Sequence, residues 1–166
     1  MGTGHFTRRA LLLGTLCAAI ASAAGPGAAQ DCVTDRLTIS GDFGTAAFNV
    51  DLAADDASRA RGLMHVESMP ASTGMLFLYD TPQPLSFWMR NTLIELDMLF
   101  LDEFGVISHI HHRAQPLDET PISPGDLKLS GVLEINGGLA RRLGVDVGDT
   151  VHHPAFAPAD AAPVCD

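Results

Sequence analysis

Cysteine is scarce in this chain, with three in 166 residues, and Cys17 lies in a stretch expected to be removed. A cysteine nucleophile therefore has little to draw on. There is no glycine-rich loop to cradle phosphate, no nucleophile elbow and no His-Glu-x-x-His motif, which excludes the common nucleotide, α/β-hydrolase and zinc-hydrolase signatures. Ser72, Ser86, Ser108 and Ser123 have no triad context. No internal repeat and no second domain are visible. The apolar run Ala10 to Ala24 falls short of the roughly 18 residues of a spanning helix. Basic residues are few, ten against twenty acidic ones, which argues against nucleic acid and anionic membrane surfaces as partners.

What is present starts at the N-terminus. Arg8 and Arg9 precede the apolar run, and Gly25-Pro26-Gly27-Ala28-Ala29 follows it. This is the layout of a secretory signal over residues 1–29, and Thr7 to Leu12 resembles a twin-arginine signal. Leu16 is too large for a lipoprotein cleavage site before Cys17. Cleavage is expected after Ala29, with Ala23 as the alternative, leaving 137 residues from Gln30. Losing Arg8 and Arg9 leaves eight basic against twenty acidic residues, a net charge of −12. A periplasmic or secreted, bacterial location with no remaining membrane span follows from this reading. Cys32 and Cys165 are then the two remaining cysteines, at opposite ends. In an oxidising compartment they are expected to form one bridge, which the chain-entropy model values at about 5 kcal/mol.

Residues 30–153 read as a single domain and 154–166 as an Ala/Pro-rich tail. Arg36–Ile39 and Ala47–Leu52 are expected strands joined by a turn at Gly41 and Gly44. Asp55 to Ser58 opens a short helix that Gly62 ends. Met75–Tyr79, Phe87–Arg90, Leu96–Leu101, Val106–Ile110, Gly131–Ile135 and Asp149–His152 complete the strands, with Glu103-Phe104-Gly105 turning a hairpin. Asn136 is placed to cap a second helix, Leu139–Leu143. The prediction is a mainly β (α+β) fold, a compact barrel-like antiparallel sheet of about eight short strands with two short helices. Leu96–Leu101 is apolar on both faces apart from Asp97, so that carboxylate is expected to be buried and to need donors. Arg61, Arg90, Asn91 and Thr92 are the candidates. Glu134 repeats the pattern.

Arg61-Gly62-Leu63-Met64, Gly74-Met75-Leu76-Phe77, Phe87-Trp88-Met89-Arg90-Asn91-Thr92, Leu96-Asp97, Val132 to Gly138 and Gly148-Asp149 occur in one order. Together they resemble the domain-of-unknown-function 192 family, from about Asp55 to Val151. The resemblance implies a compact, mainly β, often exported domain, and brings no assigned activity or catalytic residues. His109-Ile110-His111-His112 is not part of that pattern.

Three polar sets carry candidate chemistry. Arg61, Trp88, Asn91, Thr92, Asp97, Glu134 and Asn136 are the expected ligand-binding residues, an aromatic platform with amides and carboxylates. Their plainer reading is a structural network, with Arg61 paired to Asp97 or Glu134 and the two asparagines shaping turns. Asp97 and Glu134 are also the runner-up acid/base pair of a hydrolase, which requires a defined carboxyl separation. His109 and His111, with Met64, Met69, Met75, Met89 and Met98, offer soft ligands for periplasmic copper as a third reading. Against that stand core-filling methionines, exposed histidines and the absence of tight metal-ligand spacing. The leading expectation is a non-catalytic binding or accessory module of the cell envelope with a polar-aromatic pocket. It has no cofactor, and its partner is a small molecule, a carbohydrate or an envelope component.

Overall fold

The computed structural model describes residues 1–2 and 35–156. Residues 3–29 of the expected signal segment, Cys32, Cys165 and the Ala/Pro-rich tail beyond Pro154–Phe156, a single 3₁₀ turn, lie outside the described residues. Among the described residues no helix is long and apolar enough to cross a membrane.

Among the described residues seven strands form one sheet: β1 (Arg36–Gly41), β2 (Gly44–Ala53), β3 (Thr73–Gln83), β4 (Leu96–Leu101), β5 (Ile107–Ala114), β6 (Leu129–Asn136) and β7 (Thr150–His152). Their order is β5-β4-β6-β3-β2-β1-β7. The expected hairpins β1–β2 and β4–β5 are both present and antiparallel. Two short helices, α1 (Asp56–Arg61) and α2 (Leu139–Leu143), complete the frame. The sheet curls into a half-barrel. Its two end strands meet at one corner, where Ile107 N–H donates to Asp149 O at 2.8 Å and Val151 N–H to Gly105 O at 2.8 Å. That contact covers backbone groups that an open edge would expose.

Two details differ from the sequence reading. β2 and β3 run parallel, because α1 carries the chain across between them as a crossover. Phe87–Arg90 is not a strand. Phe87 makes a single bridge with Ile122, and the facing segment contains Pro121 and Pro124, which have no N–H to extend a ladder. The chain there is a loop, pinned further by Met89 N–H to Asp118 O at 2.8 Å.

β4 is buried at every position, because the sheet is packed on both faces. One face carries Leu37, Ile39, Phe48, Val50, Leu76, Leu99, Leu133 and Ile135, with Leu139 and Ala140 of α2. The other carries Met75, Phe77, Met98, Phe100 and Val132, covered by Leu63, Leu85 and Met89 from α1's exit and the 84–95 loop. The methionines Met75, Met89 and Met98 are core residues of this second face. Successive residues alternate between faces, and this parity decides where each buried carboxylate points.

Candidate functional site

Asp97 and Glu134 lie on adjacent strands but on opposite faces of the sheet. Asp97 stands opposite Ile135 and Met98 opposite Glu134. Asp97 thus points with Leu99 and Ile135 toward the first core, and Glu134 with Met98 and Val132 toward the second. The acid/base pairing of these two carboxylates and their convergence in one pocket are corrected by this register, since the sheet itself stands between them.

Asp97 is fully buried, at 0% exposure, and its donors are none of those expected. Its Oδ1 accepts from Gly138 N–H at 2.8 Å and Arg113 N–H at 2.9 Å, and its Oδ2 from Ala140 N–H at 2.9 Å. The carboxylate therefore caps the start of α2 from a distant strand, where the dipole favours negative charge. Gly138, not Asn136, is the N-cap residue, at φ +72°. Asn136 instead ties the 69–70 segment to β6, donating to Met69 O at 3.0 Å and Pro70 O at 3.1 Å. Asn91, also left-handed at φ +54°, accepts from His65 N–H through its carbonyl at 2.8 Å. Asn91, Asp97 and Asn136 are turn- and cap-forming residues outside the pocket lining.

Arg61, Trp88, Thr92 and Glu134 do come together. They line an open pocket together with Arg59, Tyr79, Ser86 and Arg90. Its first wall is α1, which forms because Asp55 caps it. The Asp55 carboxylate accepts from Ala57 N–H and Ser58 N–H, both at 2.9 Å. Those bonds, with Ser58's foremost, hold its pKa below the usual carboxylate range. Gly62 ends the helix at φ +48° and packs on the Phe77 ring. Arg59 then anchors the helix to the sheet. Its Nη1 donates to Ala54 O at 2.7 Å and Leu78 O at 2.8 Å, its Nη2 meets Asp56 at 2.6 Å, and its guanidinium lies over Tyr79.

The second wall is the 86–92 loop. Trp88, 47% exposed, carries the Arg90 guanidinium 5.5 Å from its ring centroid. Thr92 is buried, its hydroxyl turned back on Arg90 O. The third wall is Glu134, the most buried of these polar residues at 4% exposure. No described residue hydrogen-bonds its carboxyl group. Burial alone pushes its pKa up to about 8, so at neutral pH it stands mostly as a neutral acid. It then offers one O–H donor and an acceptor to whatever enters. The expected pairing with Arg61 does not form; Arg61 is exposed, and its guanidinium bonds to no described residue.

Arg59, Tyr79, Ser86 and Arg90 were not among the expected site residues. A usable signal existed for the two arginines, since basic residues are scarce in this chain and these sit beside Arg61 and Trp88 in sequence. His109 and His111 face the second core, beside Phe100 and Met98 respectively. Burial first, and then His109 and His112, hold the His111 pKa below its ordinary value. No three His, Cys, Asp or Glu residues among the described ones gather as a metal set. His112 lies on the other face, its Nδ1 3.8 Å from Asp97 Oδ1, beyond hydrogen-bond length.

Two solved structures resemble this fold. A protein of unknown function from Novosphingobium aromaticivorans is 42% identical, with a TM-score of 0.68, over 70% of this chain and 83% of that one. A candidate transcription regulator from Sinorhizobium meliloti is 37% identical, with a TM-score of 0.70, over 72% of this chain and 93% of that one. No curated protein matches. The model of the DUF192 family, described as uncharacterized ACR, matches residues 37–153, and the chain belongs to this family.

Proposed function

We propose that this protein is an exported, non-catalytic binding or accessory module of the bacterial cell envelope. It takes a small carbohydrate-like molecule in the pocket between α1, the 86–92 loop and β6. The observation that carries this reading is Glu134, a carboxyl group held in the pocket wall with no hydrogen-bond partner among the described residues. Buried polar groups are nearly always satisfied, so a group left open toward a pocket is available to a ligand. The exposed Trp88 adds a flat apolar surface of the kind that sugar rings stack on. Export rests on the N-terminal sequence, and mass spectrometry of the secreted or periplasmic protein checks it by finding Gln30 or Ala24 at the start. The regulator description of the Sinorhizobium relative does not carry over, because a net charge of −10 repels nucleic acid.

Trp88 is the sole tryptophan of the chain, so intrinsic fluorescence reports on the pocket directly. A panel of neutral and acidic sugars and peptidoglycan fragments is expected to contain a ligand that shifts Trp88 emission saturably and raises Tm. Trp88→Ala is expected to remove the Tm increase. A panel that moves neither signal at millimolar concentration rejects the reading.

A further inference from the structure

We infer that the pocket selects a sugar bearing a carboxylate, of the uronic acid class, and that Arg61 and Arg90 hold that carboxylate; this rests on the binding reading above and names its ligand class. The described residues include eight basic side chains, and three of them, Arg59, Arg61 and Arg90, line this one pocket. Elsewhere Arg113 is paired with Glu95 at 3.0 Å. Within the pocket, Arg59 is committed to Asp56 and to two backbone carbonyls. Arg61 and Arg90 have no carboxylate partner among the described residues.

Among the described residues Glu134 is the only acid in the pocket lining, and it makes no ion pair with any of the three arginines. A neutral carboxyl leaves the positive charge of the lining uncancelled, against a surrounding molecule that is strongly acidic. Such a local reversal of sign draws in an anion. The Trp88 ring holds the Arg90 guanidinium at the pocket edge, which reduces the ordering cost of using it. A guanidinium fork matches a carboxylate in two parallel bonds. Glu134 meanwhile suits a hydroxyl, to which it can both donate and accept. A molecule with a carboxylate at one end and hydroxyls along a ring satisfies both requirements.

The test compares galacturonate with galactose, which differ at one carbon, and with galactose 6-phosphate. Binding to the full chain is read by Trp88 fluorescence and by calorimetry. Galacturonate is expected to bind at least about tenfold more tightly than galactose, the scale of one charge-assisted contact. Arg61→Ala and Arg90→Ala are each expected to weaken galacturonate binding more than galactose binding and so remove that preference. Arg141→Ala, on α2, serves as the control and keeps the preference, and circular dichroism establishes that each variant is folded. If galactose and galacturonate bind equally, the carboxylate inference falls and the binding reading stands. If the phosphate sugar binds more tightly than galacturonate, the pocket is for phosphate and the inference falls. If none of the three binds and no other acidic sugar does, this inference falls, and the binding reading falls with it unless a neutral ligand from the wider panel binds.

Discussion

Asp97 and Glu134 are two carboxyl groups on neighbouring strands of one sheet, both nearly inaccessible, and they solve burial in opposite ways. Asp97 is surrounded by donors, three backbone N–H groups within 2.9 Å. Glu134 has none among the described residues, and burial drives its pKa up to about 8. The first arrangement organises the molecule, since it joins β4 to α2 and to the end of β5. The second leaves bonding capacity unused at a pocket. Burial of an acid is therefore not informative by itself. The number of donors aimed at it separates a structural group from one left open for a ligand.

The largest expected effect tests the structural half of that contrast. Asp97→Ala removes the acceptor of three buried N–H groups and strands them in a dry core. A loss of about 3–5 kcal/mol is expected at pH 7, from the cost of unsatisfied buried groups and a lost charged acceptor. Urea unfolding measures it. Glu134→Ala breaks no internal bond and is expected to cost clearly less. Equal losses at the two positions would break the comparison.

The next effect is a pH dependence, and its sign follows from which form the fold prefers. Glu134 has a folded pKa of about 8 against 4.5 for a free glutamate, so the fold favours the protonated form. Its contribution to stability is fully present below pH 4.5 and is lost as pH rises through 8. Over the interval from pH 4.5 to 7 the loss amounts to roughly 3 kcal/mol. The groups that share its pocket are Arg59 and Arg61 of α1, Tyr79 of β3 and Arg90 of the loop. Glu134→Gln keeps the shape without the titration. The variant is expected to gain stability over the parent as pH rises from 5 to 8.5, with the two converging at low pH. Carboxylates such as Asp55 and Asp118, whose pKa values are lowered by hydrogen bonds, titrate in both proteins and cancel in the difference. A difference that stays flat across this range would mean that Glu134 is ionised and paired.

How much of this was readable beforehand depends on the range of the interaction. The β1–β2 and β4–β5 hairpins, the Asp55 cap and the Gly62 stop are local, set by residues a few positions apart, and the sequence displays them. The apolar setting of Leu96–Leu101 also showed that Asp97 is buried. Its donors were not readable, because they are backbone groups of residues 113, 138 and 140, and backbone N–H groups leave no trace in residue identity. Nor was the face of each carboxylate readable. That depends on the β4–β6 register, and a shift by one residue would exchange the faces. In the site, Arg61, Trp88, Thr92 and Glu134 were legible as unusual polar or aromatic residues among apolar ones. Tyr79 was not, because its contact with Arg59 spans α1 and β3 and exists only once the parallel crossover has formed.

A smaller effect is expected at Gly138, which carries the N–H nearest to Asp97 and sits at φ +72°. A Cβ there enters the left-handed region and comes within 3.0 Å of the Arg113 guanidinium. That side chain is flexible, so backbone strain dominates, and Gly138→Ala is expected to cost about 1–2 kcal/mol. Ligand binding by the pocket on the other face is expected to be unchanged. A loss of binding without a larger loss of stability would show that the two faces are coupled.

The smallest effect contrasts the two helix starts. α2 takes its cap from Asp97, 41 residues before Gly138, whereas α1 takes its own from Asp55, two and three residues before the N–H groups it satisfies. Asp55 is exposed, and water can replace it, so Asp55→Ala is expected to cost less than Gly138→Ala. Its consequence falls on the pocket wall instead. Loosening the first turn of α1 frees the segment that holds Arg59 and Arg61, and hydrogen exchange at Arg59 and Gly62, whose N–H groups donate to Asp55 O and Ser58 O, is expected to quicken. Galacturonate affinity is expected to weaken more than galactose affinity, because the helix positions a guanidinium and the loop positions the tryptophan. Equal weakening of both sugars would place the role of α1 in the shape of the pocket and not in its charge.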